Sequence, residues 1–156
     1  MTKLQRPDAL DGLEVAARNG GAASKARLYC AVRPLAVRRA RVELEPHAAE
    51  LVADAVCRSV VNSVPGRAAS DGLLLRLVHS TTRRLIDRTD SKSRIGLPAE
   101  IEALPERLRE VLILRLIVGL DVDDTAVVLG RTHAQVLVEQ HRALAMLSAV
   151  AAAAAS

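Results

Sequence analysis

Apolar residues recur at helical spacing in one segment after another, and turn residues punctuate the intervals between them. Asp8 to Arg18 reads as a first helix, closed by Gly20-Gly21. A second runs from about Ala22 to Arg41, with Leu28, Val32, Leu35 and Ala36 on one face and a kink or break expected at Pro34. Pro46 suits a first helical position and opens a third helix, whose Leu51, Ala55, Val56, Ser59, Val60 and Ser63 make one face before Pro65-Gly66 ends it. The fourth follows a cap at Ser70-Asp71 and turns Leu74, Leu77, Val78 and Leu85 inward.

Residues 89–99, TDSKSRIGLPA, interrupt this pattern with the composition of a linker. Fully extended, the segment reaches at most about 36 Å. It divides the chain into a first domain over 1–88 and a second over 100–156, each near the size at which helical domains fold alone. In the second, Pro105 and Glu106 start a strongly apolar helix that ends at Gly119. DVDDTAVVLG then places Val122, Ala126 and Leu129 on one face over two turns, and Gly130 permits a tight turn. Thr132 and Gln135 have the spacing of a capping box, so a new helix begins directly, with Val136, Gln140, Ala143, Leu144 and Leu147 facing in. Its tail, AVAAAAAS, favours helix and extends this element towards a fraying end. Two short helices joined by a glycine turn, behind a longer supporting helix, make a helix-turn-helix.

Composition agrees with an all-α chain. Half of the 156 residues are apolar, yet there is no Trp or Phe and only one Tyr, Tyr29, so the core must be built from Leu, Val, Ile and Ala. Cys30 and Cys57 form no CxxC pair, which argues against a disulfide scaffold or a thiolate zinc site, and both read as small buried hydrophobes. No signal peptide or membrane span is evident, so a cytoplasmic protein without membrane insertion is expected. The net charge of +4 is uneven: residues 1–90 carry 15 basic and 10 acidic side chains, and residues 91–156 carry 7 and 8. The basic bias of the first half suits nucleic acid or an acidic surface.

Enzymatic chemistry finds little support. His133 and His141 stand eight apart, which does not place two ligands on adjacent turns, and His47 and His79 lack acidic or Cys partners at ligand spacing. There is no glycine-rich phosphate loop, and neither cysteine has an activating base nearby in sequence. Neither a metal nor another cofactor is expected.

The run LPERLREVLILRLIVGLDVDDTAVVLGRTHAQVLVEQHRALAML resembles, without gaps, the C-terminal promoter-binding region of bacterial RNA polymerase sigma factors, in particular the extracytoplasmic-function group of the sigma-70 family. The opening Leu-Pro, the Gly-Leu before the first short helix, the Leu-Gly turn and the late His-Arg-Ala carry the likeness. The first half is similar, more loosely, to the other conserved sigma domain. DALDGLEVAARNGGAASKARLYCAVRPLAVRRAR matches its opening helices, AAELVADAVCRSVVNS its clamp-gripping helix, and LLLRLVHSTTRRLIDR the helix that reads the downstream promoter element. The resemblance implies a sigma region 2-like domain over 1–88 and a winged-helix-like region 4 domain over 100–156. Core RNA polymerase and promoter DNA are the implied partners, with an anti-sigma factor as a further one.

The same resemblance assigns sites. Arg131, Thr132, His133, Gln135 and Arg142 fall where the last helix meets DNA, and Arg and Gln suit the G and A edges. Arg76, His79, Arg83, Arg84 and Arg88 fall on the downstream-element helix, with Ser80 or Thr81 as further members of a polar pocket. Glu50, Asp54 and Arg58, at i, i+4 spacing, make the polymerase-binding stripe. For each set, an ordinary solvated helix face is the competing explanation.

Two departures from the family weigh on these assignments. Where basic residues commonly follow the buried Val136, this chain has Leu137, Val138 and Glu139, with Gln140 in place of a buried Leu, and a glutamate repels the DNA backbone. Where aromatic side chains help to capture unstacked bases, it offers Val56, Val60, Leu73, Leu74 and Leu75, so an aromatic platform is excluded. The expected function is promoter-directed initiation. The alternative is a degenerate sigma-like interaction protein that binds polymerase, an anti-sigma protein or a second sigma-like subunit without initiating alone.

Overall fold

The computed structural model describes residues 7–68, 70 and 72–156. All of its extended elements are helices. The chain divides into two compact units, Met1–Ile95 and Gly96–Ser156.

The first unit contains α1 (Pro7–Arg18), α2 (Ala22–Ala40), α3 (Pro46–Ser63) and α4 (Leu73–Asp87). Gly20, at φ +81°, makes the α1–α2 turn, a left-handed conformation that favours glycine. Of the kink or break expected at Pro34, the break does not occur, and α2 runs through the proline. An interior proline costs about 3 kcal/mol or more. Here it is offset by complete burial of Leu28, Val32 and Ala36 on the helix face.

Pro46 begins α3 behind Glu45, whose carboxylate accepts the Ala48 N–H at 3.0 Å. The buried face of this helix is rotated from the one read in the sequence. It consists of Ala48, Ala49, Ala53, Val56, Cys57, Val60 and Val61, while Leu51 is 57% exposed. Small alanines on the inner face let helices approach closely, and leucine is displaced outward. On α4, Ile86 is buried and Leu85 only half-buried, and the helix is led in by Gly72 at φ +66° with no side-chain cap. Asp71, expected as part of that cap, lies outside the described residues.

The first part of the stretch with linker composition is attached to this unit. The Glu45 N–H donates to the Ser93 carbonyl at 2.9 Å, the Ile95 N–H donates to Glu43 at 3.0 Å, and Leu44 and Arg94 form an isolated bridge. Arg94 also donates through Nη2 to the Ile86 carbonyl at 2.7 Å, which satisfies an acceptor at the end of α4.

The second unit contains α5 (Ala99–Glu102), α6 (Glu106–Leu112), a π-helical continuation (Ile113–Val118), α7 (Val122–Leu129) and α8 (His133–Ala154). No strand accompanies the helix-turn-helix among the described residues. Leu104, Leu112 and Ala143 pack together with Leu108 and Leu147, and Val111, Ala126 and Val136 pack with Val122 and Leu129. The wider π turn leaves Leu116 and Ile117 exposed although the sequence there is continuously apolar. On α8 the inner face is Val136, Glu139 and Ala143, with Gln140 and Leu147 half-buried. Leu144, read as inward, is exposed.

Candidate nucleic-acid interface

The helix-turn-helix is fixed by caps at each joint. Asp121 accepts the Asp124 N–H at 2.7 Å and so starts α7, and Gly130, at φ +64°, ends it in the left-handed conformation. Thr132 and Gln135 form the reciprocal capping box: the Gln135 N–H donates to Thr132 Oγ1 at 3.1 Å, and the Thr132 N–H donates to Gln135 Oε1 at 3.0 Å. Arg115 ties the supporting helix to this assembly. Its Nη1 donates to the Leu120 carbonyl at 2.6 Å and its Nε to Gln140 Oε1 at 2.9 Å. Gln140 therefore has a specific partner at a position where the family commonly buries a leucine.

The side chains read as DNA contacts are disposed unequally. Arg142 is exposed. Gln135 and Thr132 are exposed, but the Gln135 side-chain carbonyl serves the cap. His133 Nδ1 lies 2.7 Å from Asp123 Oδ1, which joins the first turns of α7 and α8 at the surface. Arg131 is drawn inward: its Nη1 is paired with Glu139 and donates to the Arg107 carbonyl at 3.3 Å, and its side chain is only 14% exposed. Glu139, expected to repel the backbone from an exposed site, is itself nearly buried and pairs a second time with Arg107 Nε at 2.6 Å. A groove of about 550 Å³ runs beside these groups, lined by Pro105, Arg107, Leu108, Ala134, Gln135, Val138, Glu139 and Arg142. Arg107, on α6, was missed in the sequence because its partner lies 32 positions away on another helix.

On α4, Arg84 and Arg88 are exposed, Arg76 is half-buried and donates to Ser70 Oγ at 2.9 Å, and Arg83 is half-buried. Thr81 is buried, which removes it from any surface pocket, while Ser80 is exposed. His79 is half-buried, and its pKa is pushed down to about 4, first by burial and then by the charges of Arg39 and Arg83. Unfolded, this imidazole takes its proton near 6.5; folded, it does so near 4. Between those values the unfolded chain binds more protons, so stability is full above pH 6.5 and falls as pH drops towards 4. His79→Gln is expected to remove up to about 3 kcal/mol of that loss. Denaturant midpoints across this range check it, and parallel curves for the two proteins would contradict it.

On α3, Glu50 and Asp54 belong to an ion-pair network with α2. Arg33 pairs with Glu50 and, through Nε at 2.9 Å, with Asp54; Tyr29 donates to Asp54 at 3.0 Å, and Arg41 pairs with Glu50 at 3.0 Å. Hydrogen bonds from Arg33 hold both carboxylates below their ordinary range, so they stay ionised well into acid. Arg58 is exposed on the same helix. The helical spacing of the acidic pair was visible in the sequence. Its partners on α2 were not.

Residues 96–147 match the family described as Sigma-70, region 4. The ECF RNA polymerase sigma factor SigD of Mycobacterium tuberculosis is 51% identical over 47 residues, covering 30% of this chain and 22% of that protein. The ECF RNA polymerase sigma factor ShbA of Streptomyces griseus is 50% identical over 48 residues, covering 31% and 25%. These matches span a quarter or less of the relatives' length. Among solved structures, CnrH, in complex with the cytosolic domain of CnrY, shares the fold with a TM-score of 0.67 at 22% identity, over 93% of this chain and 98% of CnrH. Over residues 96–147 the C-terminal unit is thus similar to region 4 of sigma-70 proteins, and about 30% of the chain is half identical to extracytoplasmic-function RNA polymerase sigma factors.

Proposed function

We propose that this protein is a sigma factor that binds core RNA polymerase and directs it to promoters, without itself catalysing a reaction. The observation that carries this reading is the capped helix-turn-helix lying within residues 96–147, the segment that matches Sigma-70, region 4. In this assignment α8 enters the major groove of the upstream element, with Arg142 and Gln135 reaching bases or phosphates. Ala134 and Val138 add apolar contact suited to a thymine methyl. The exposed Arg84 and Arg88 of α4 track downstream phosphates, and His79 contributes a neutral imidazole.

The α3 surface with Glu50, Asp54, Arg58 and the exposed Leu51 is the proposed contact with the polymerase clamp. It combines an apolar side chain with charges already oriented by α2, an arrangement suited to a protein interface. A protein antagonist is a further proposed partner, by analogy with CnrH in complex with the cytosolic domain of CnrY. The proposed location is the cytoplasm. Among the described residues, no helix is long and apolar enough to cross a membrane.

Co-elution with bacterial core RNA polymerase on gel filtration tests the first step. The full chain should co-elute and Asp54→Arg should not, because it sets a cation where the interface holds a carboxylate. Failure of the unaltered chain to co-elute would sink the reading. Co-elution of both proteins would remove α3 from the contact.

A further inference from the structure

The second unit contains few cations for a DNA-binding domain. From Leu104 to Ser148 it holds five basic side chains, Arg107, Arg109, Arg115, Arg131 and Arg142, against six acidic ones. Four of those five arginines have partners within the unit. Arg115 is bonded to Leu120 and Gln140, and Arg131 and Arg107 converge on Glu139. Arg109 donates to the Leu104 carbonyl at 3.1 Å. Arg142 is exposed and, among the described residues, has no ion pair.

We propose that Glu139 is an internal counter-charge that withholds Arg131 and Arg107 from the DNA backbone, so that Arg142 is the cation that meets phosphate. This rests on the reading of α8 as a DNA-facing helix and adds how strongly that face grips DNA. The carboxylate is 9% exposed and reaches one guanidinium from the helix-turn-helix joint and one from α6, so it spans the two elements that flank the groove. Arg131 and Glu139 are both largely enclosed, so parting them leaves a buried charge uncompensated, which holds the pair together. Arg131, with its side chain mostly enclosed, cannot also reach a phosphate without breaking the bond. Arg107 is paired but 60% exposed, and is the first to turn outward when the carboxylate is neutralised.

The consequence is a binding face with low non-specific affinity. Each phosphate neutralised contributes about 0.9 to the slope of log K against log salt. A face with one free arginine therefore binds duplex DNA weakly and with a shallow slope, and relies on polymerase to bring it to the promoter. Neutralising Glu139 releases up to two further cations towards the backbone.

The test is titration of the full-length protein against a short mixed-sequence DNA duplex by fluorescence anisotropy, across about 50 to 200 mM salt. Glu139→Gln should raise affinity by about tenfold at the low-salt end and steepen the slope by about 1 to 2. Arg131→Gln should leave affinity and slope near the starting values, whereas Arg142→Gln should lose about 0.9 of slope. If Glu139→Gln does not fold by circular dichroism, the contrast between the two arginine variants still decides. Loss on Arg131→Gln equal to that on Arg142→Gln overturns the counter-charge while leaving the DNA reading intact. Absence of binding by all the proteins, Glu139→Gln included, removes the DNA reading and this inference with it.

Discussion

Val136→Asp is expected to unfold the C-terminal unit and leave the N-terminal unit folded. Val136 is fully buried against Val111 and Ala126, with Val122 and Leu129 around it, where helix α8 crosses the supporting helix and the first short helix. A carboxylate at that position has no cation within the cluster, and burying it costs on the order of 4 kcal/mol or more, even if it takes up a proton. A helical unit of this size is stable by roughly 3 to 5 kcal/mol, so one such substitution exhausts it. Thermal unfolding followed by circular dichroism should lose the contribution of the second unit, and promoter-dependent output should vanish. Val136→Ala should retain the fold with a lower midpoint. A Val136→Asp protein that unfolds like the original would show that this cluster does not hold the helix-turn-helix together.

The second large effect is expected at Arg33, a residue with no direct assignment in the sequence. Arg33→Glu places a third carboxylate against Glu50 and Asp54, which now share one guanidinium between them. The two acids lose the Arg33 hydrogen bonds, the largest cause of their lowered pKa values, and keep only Arg41 and Tyr29 as separate partners, so their common orientation disappears. If α3 contacts the polymerase clamp, affinity for core polymerase should fall by about tenfold or more, as happens when ordered interfacial charges are disrupted. Arg41→Ala, which removes only the outer partner of Glu50, should have a much smaller effect. Equal affinities for the Arg33→Glu and unaltered proteins, both folded, would mean that the network is structural only.

These cases show which features could be read along the chain. The Thr132–Gln135 box, the Gly130 turn and the Pro46 start are local, each defined by residues within a few positions of one another, and the structure contains all three. The orientation of α3 was less legible because its inner face is alanine-rich. Hydrophobic periodicity favours the larger Leu51, whereas close packing selects Ala49 and Ala53. Pro34 is a further case in which tertiary burial outweighs a local breaker.

Electrostatic roles were the least accessible. Glu139 reads as a charge that opposes DNA binding because its sequence neighbours, Val138 and Gln140, offer no cation. Its partners come from the preceding turn and from another helix. Arg131 reads as a base reader for the same reason, and becomes a structural tie once that partner is located. Composition correctly pointed to a sparsely basic second unit. Only the three-dimensional pairing shows which of its arginines remain exposed.

The most direct measurement is run-off transcription with purified core RNA polymerase, this chain and a set of genomic promoter fragments. Core polymerase supplemented with this protein alone should give discrete transcripts from a subset of fragments, and Arg142→Ala should reduce them. A protein that binds core polymerase yet yields no specific transcript from any fragment would contradict promoter-directed initiation and leave only a sigma-like interaction protein.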